Sequence, residues 1–170
     1  GETVVTYDGT PQPAEWGLSV PATVKLDKEV NDDSMYGNAK IAIVSTDTNT
    51  DFKGDADQTF VVSGSALYKD EHGLLQLKNA KDQSIVTGLF GMLENQTATG
   101  AEPTGWGKPG GLRFQDEAKL KNIEIQAPVD GSLKTSRWLQ FYGVSVKGLA
   151  LTEGDSMTTT ISWTATEKTS

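Results

Sequence analysis

Ten residues near the C-terminus constrain this chain more than any other stretch. In Met157-Thr158-Thr159-Thr160-Ile161-Ser162-Trp163-Thr164-Ala165-Thr166, the residues Met157, Thr159, Ile161, Trp163 and Ala165 fall on one side of an extended chain. Thr158, Thr160, Ser162, Thr164 and Thr166 fall on the other. Successive side chains of a strand point to opposite faces, so the pattern predicts one strand with an apolar face and a hydroxyl face. Such a strand belongs to an antiparallel sheet packed on a core on one side and wet on the other. The rest of the chain must supply its partners.

Those partners are short strands separated by turn residues. Glu2 to Tyr7 predicts a first strand closed by Asp8-Gly9, and Glu15 to Val20 a second stopped by Pro21. Val30 to Tyr36 reads as a polar turn. Asn38 to Thr46 has apolar residues facing both ways, which predicts a central strand buried on both faces. Ser63-Gly64-Ser65 predicts a bulge or bend, and Asp130-Gly131 a hairpin-type turn. Ser84 to Leu93 fits helix or strand, although Gly88 and Gly91 weaken a helix. Lys119 to Ala127, the aromatic stretch Arg137 to Lys147 and Leu149 to Thr152 complete the set. Together they predict an all-β, antiparallel β-sandwich of the Ig-like or jelly-roll kind, residues 1–170 forming a single domain. Residues 94–111, rich in Gly and Pro, form one long loop, and loops of that length are usually functional or disordered.

Bulk chemistry narrows the partners. The net charge is −8, from 23 acids against 15 bases without a basic stripe, so nucleic acid and anionic membrane surfaces are unsuited to it. Absence of cysteine excludes a disulfide scaffold and thiol chemistry. No apolar run approaches the roughly 18–20 residues that span a bilayer, so no membrane insertion is expected.

Catalytic constellations are sparse. His72 is the sole histidine and sits beside Gly73 in a charged turn, which predicts a solvated side chain and no enzyme activity. Asp47, Asn49, Asp51 and Asp55 alternate oxygen side chains along a curled loop, the donor set a calcium ion needs. Phe52 and Gln58 stand where an EF-hand loop would carry Gly and Glu, and Asn31-Asp32-Asp33 is a second acidic patch. Trp138 and Trp163 lie on apolar strand faces and are assigned to the core. Trp106, between Gly105 and Gly107 in the long loop, is the candidate ligand contact. Asn95-Gln96-Thr97 is an N-glycosylation sequon. Lys25 and Lys40 are conceivable donors for an intramolecular isopeptide bond.

Val4-Val5-Thr6-Tyr7-Asp8 with Glu15-Trp16-Gly17-Leu18-Ser19-Val20-Pro21-Ala22 resembles the opening of secreted surface proteins of Gram-positive bacteria. The closing Thr160-Ile161-Ser162-Trp163-Thr164-Ala165-Thr166 is similar to the last strand of that group and of WxL cell-wall domains. It departs from the WxL pattern at Ala165, where Leu would stand, and no binding residue is carried over. The resemblance implies an extracellular, cell-surface, non-enzymatic module for adhesion or surface structure. Its partners would be a surface glycan, a host protein or a cell-wall polymer. Two further expectations stand beside it: a carbohydrate-binding module with a structural calcium, and a polymerising fimbrial or pilus-type subunit capable of self-assembly.

Overall fold

The computed structural model describes residues 2–7, 13–31, 34–81, 83–107, 110–143 and 157–168, with backbone alone at 2–7, 13–14 and 85–87. The strands are β1 Glu2–Tyr7, β2 Pro13–Val20, β3 Val24–Leu26, β4 Lys28–Asn31, β5 Ser34–Ser45, β6 Gln58–Ala66 and β7 Gln76–Asn79. They continue with β8 Ile85–Glu94, β9 Gly111–Phe114, β10 Ile123–Ala127, β11 Ser136–Gly143, β12 Met157–Thr159 and β13 Ile161–Glu167. All pairings are antiparallel. The fold is all-β and sandwich-like, as its alternating strands require.

Strand β5 is the hub. It is the longest strand among the described residues, spanning 12, and Ala39 and Ile41 to Val44 are all buried. β11 pairs along one of its edges, and β2 and β4 divide the other. The larger sheet runs β1-β2-β5-β11-β8-β7-β12-β3, with β9 added beside β8. After Asp27, β3 continues into β4, which pairs with β5, so the sheet curls until its order returns to its own centre. Gly37 permits the closure, since a Cβ there would overlap the Lys25 carbonyl. A second sheet, β10-β6-β13, covers the curl.

One apolar core lies between the sheets. From the larger sheet it takes Leu18, Ile41, Ile43, Leu139 and Phe141; from the smaller, Phe60, Val62, Ile125 and Trp163. Phe60 receives the Trp16 ring at 4.7 Å and the Phe52 ring at 5.7 Å, both edge-on, the arrangement the ring quadrupoles favour. Each such fully buried side chain contributes about 1.5–3 kcal/mol of transfer free energy.

Several expectations are corrected. The ten-residue terminal strand is two strands: after Thr159 the chain leaves the larger sheet, and β13 joins the smaller one. Alternation persists across the switch because both segments face the same core, with Met157, Thr159, Ile161 and Trp163 buried. The polar stretch from Val30 to Tyr36 is mostly strand. β4 is exposed throughout and is held by backbone pairing, a force that hydropathy does not register. Ser63-Gly64-Ser65 does not interrupt β6; Gly64 is a notch that seats the Trp163 ring. Lys119 belongs to a 3-10 turn, Glu117–Leu120, and extended backbone resumes at Ile123. Gly131 makes its tight turn at φ 71°, but the turn links β10 to β11 in different sheets and closes no hairpin. Ser84 to Leu93 resolves as strand. Asp8-Gly9, Asp32-Asp33, Leu149 to Thr152 and the end of the aromatic stretch lie outside the described residues.

The notch yields a prediction. A Cβ at position 64 would stand 2.7 Å from Trp163 Cζ3 and 2.9 Å from Ile161 Cγ2. Gly64→Ala is expected to lower the denaturation free energy by about 1–3 kcal/mol, the cost of overpacking a tight core. A urea midpoint equal to that of the unsubstituted protein would contradict it.

Candidate functional site

The long loop is packed on the outer face of the larger sheet. Directly opposed residues of antiparallel strands share a face, which places Trp138, Gln140 and Tyr142 of β11 beside Lys40 and Asn38 of β5 and Met92 and Phe90 of β8. This face points away from the core, and the loop lies across it. Gln140, fully buried, donates to Asn38 Oδ1 at 3.0 Å and to the Gly105 carbonyl at 2.9 Å, and accepts from the Gly107 N–H at 2.9 Å. Asn38 in turn donates to the Pro103 carbonyl at 3.0 Å and to Glu102 Oε1 at 3.2 Å. Trp138 Nε1 donates to the Gly100 carbonyl at 2.9 Å. Gly107, at φ 73°, turns the chain where most side chains would strain.

At the loop's base, Gln96 reaches the other sheet. Its carboxamide accepts from the Gln126 N–H at 2.7 Å and donates to the Gln126 and Lys134 carbonyls at 2.8 and 2.9 Å. It stands where another strand would pair with β10.

Trp106 is therefore displayed from a fixed loop. Its ring stacks on Tyr142 with centroids 4.6 Å apart and planes inclined by 22°. Tyr142 lies opposite Phe90, which is 40% exposed, and Arg113 of β9 lies opposite Met92. Phe90, Gly91, Trp106, Arg113 and Tyr142 line a concavity of 310 Å³. None of these lining residues is acidic. The Arg113 guanidinium makes no hydrogen bond or ion pair with a described residue. Across the loop a second concavity, of 460 Å³, includes Trp138, Asn38, Lys40 and Glu102.

The other candidates are spread apart. Asn49 takes a left-handed conformation at φ 56° and Asp51 bridges back to Val44, so the acidic run is a tight backbone-closed turn. Asp47 and Asp55 are exposed. Among the described residues no group of three or more acidic or histidine side chains is placed to hold a metal ion. Of the second acidic patch only Asn31 is described. His72 is solvated in its turn, 3.5 Å from Glu71, while Asp70 Oδ1 caps the backbone N–H groups of His72 and Leu74. Lys25 and Lys40 are exposed, and neither has the buried setting of an isopeptide donor. Trp163 is in the core as expected. Trp138 is not: it faces outward, half-buried under the loop, with Lys40 Nζ 6.0 Å from its ring centroid.

Register explains what sequence reasoning missed. Tyr142, Phe90 and Arg113 come from three strands and meet only through pairing. The local signal for Tyr142 was its alternation with Gln140 and Trp138, opposite in phase to Leu139 and Phe141.

Comparison with protein-family models, curated proteins and solved structures finds no match.

One group beneath the loop titrates unusually. Glu94 is only 3% exposed and neither carboxyl oxygen has a hydrogen-bond partner. Burial holds its pKa above the ordinary value of 4.5. The folded state thus binds this proton more tightly than the unfolded chain does. Its contribution to stability is fully present below the unfolded value and is lost as pH rises through the raised folded one. Glu94→Gln removes that loss, and is expected to raise stability at neutral pH by on the order of 1 kcal/mol. The gap between variant and parent should shrink as pH falls toward about 4.5. Urea unfolding at several pH values measures it, and a gap independent of pH would refute the assignment.

Proposed function

We propose that this protein is a non-enzymatic binding module that holds a carbohydrate against the Trp106–Tyr142 platform on the outer face of its larger sheet. The observation that carries the reading is the stacked pair itself. Held against Tyr142 at 4.6 Å and flanked by Phe90, Trp106 is a fixed apolar surface at a concavity, although an isolated loop tryptophan would be free to bury its ring. Such surfaces match the C–H faces of pyranose rings, and the guanidinium at the rim adds hydrogen-bond donors beside them. The backbone of the floor is already paired on both sides, β8 lying between β11 and β9 from Gly91 to Leu93. A ligand there is recognised by side chains rather than by strand addition.

The resemblance of the chain ends to Gram-positive surface proteins supports placing the module outside the cell, in adhesion or surface structure. Among the described residues no helix is long and apolar enough to cross a membrane. The solvated setting of His72 supports the non-enzymatic part. The compact Asp47–Asp51 turn gives little support to a structural calcium, and Gln96 at the β10 edge gives little to assembly through that strand.

Glycan-array screening followed by titration tests the reading. Trp106→Ala is expected to weaken binding of the best array ligand by roughly 30-fold or more, the scale of a central aromatic contact. Its melting temperature should stay close to the parent's, since Gln140, Asn38 and Trp138 hold the loop without the Trp106 ring. Absence of any array ligand, or an undiminished affinity in Trp106→Ala, would overturn the platform.

A further inference from the structure

The groove also indicates which saccharides it takes. We infer that its ligand carries a carboxylate, as in a uronic-acid-containing glycan, and that Arg113 reads this group; the inference rests on the carbohydrate reading above. Arg113 sits in the groove wall opposite Met92, one strand over from Phe90 and two from Tyr142. Elsewhere on the surface Lys69 and Lys168 each take a carboxylate, Glu117 and Glu124, at 2.6 and 2.8 Å. Arg113 has no such partner among the described residues, and none of the described residues lining the groove is acidic. A carboxylate on a ring stacked against Trp106 would supply the missing charge. The planar guanidinium presents parallel N–H donors that match a carboxylate in bidentate fashion, a geometry that lysine lacks.

The alternatives differ in chemistry. A neutral sugar would use the rings and leave the guanidinium merely hydrated. An acidic peptide would satisfy the charge, but β8 in the floor is paired on both sides and its side chains offer no rigid apolar ring face to Trp106. Both become outcomes of one experiment.

An α-1,4-oligogalacturonate and the oligogalactan made by reducing its C6 carboxyl groups differ only at C6, carboxylate against hydroxymethyl, and a poly-glutamate of equal charge completes the set. Titration at low salt is expected to show oligogalacturonate bound about tenfold more tightly than oligogalactan, the scale of one charge-assisted fork. The preference should narrow as salt screens the exposed charge. Arg113→Gln should abolish the preference, bringing oligogalacturonate down to the affinity of oligogalactan, and Arg113→Lys should retain part of it. Trp106→Ala should weaken both saccharides. Equal affinity for the two saccharides, or a preference that survives Arg113→Gln, overturns the carboxylate inference and leaves the aromatic platform standing. Poly-glutamate bound as tightly as oligogalacturonate also overturns it. If neither saccharide binds, the inference falls, and the array experiment decides separately whether the platform reading falls with it.

Discussion

A single buried carboxamide organises the functional face. Gln140 offers its donors and its acceptor inward, away from all solvent, and each is used by the loop or by the neighbouring strand. Leaving any of these groups unpaired would cost about 1–3 kcal/mol, so the loop has one favourable seat on the sheet. The position of Trp106 follows from that seat: it is bracketed by Gly105 and Gly107, whose backbone groups bind the Gln140 side chain. The platform is therefore preorganised, and its ring surface loses little freedom when something binds.

The same logic extends outward. Tyr142 supports Trp106 from below because it is two residues along β11 from Gln140, on the same face. Phe90 and Arg113 are at its sides because β8 and β9 pair in one register and no other. A one-residue slip of β8 would send Phe90 into the core and bring Leu89 to the surface. The fully buried Phe141, Leu139 and Leu93 hold that register, so the core and the groove are two faces of one alignment.

Much of the architecture was legible in the chain. Period-two patterning declared an antiparallel β fold, and double-sided apolarity marked β5 as central. It failed where backbone pairing outweighs side-chain polarity, as in the exposed β4, and where a glycine serves packing, as Gly64 does beneath Trp163. The candidate site was legible in one residue only. Trp106 stood out by its place in a Gly-rich loop, whereas its companions are defined by cross-strand register, and no local pattern encodes register between strands dozens of residues apart. Trp138 was misread for the same reason. Its strand carries large residues on both faces, and only the pairing with Lys40 shows which face meets the core.

The change of sheet between Thr159 and Ile161 affects how this molecule comes apart. Of the two strands it joins, β12 hydrogen-bonds to β7 and β3 in one sheet and β13 to β6 in the other, so neither sheet can lose its ladder without pulling on the other's. Partial melting of one layer, the route by which many sandwiches expose sticky edges, would have to break this covalent tie's pairing on both sides. Coupling of that kind favours a single concerted opening of the whole core over stepwise fraying.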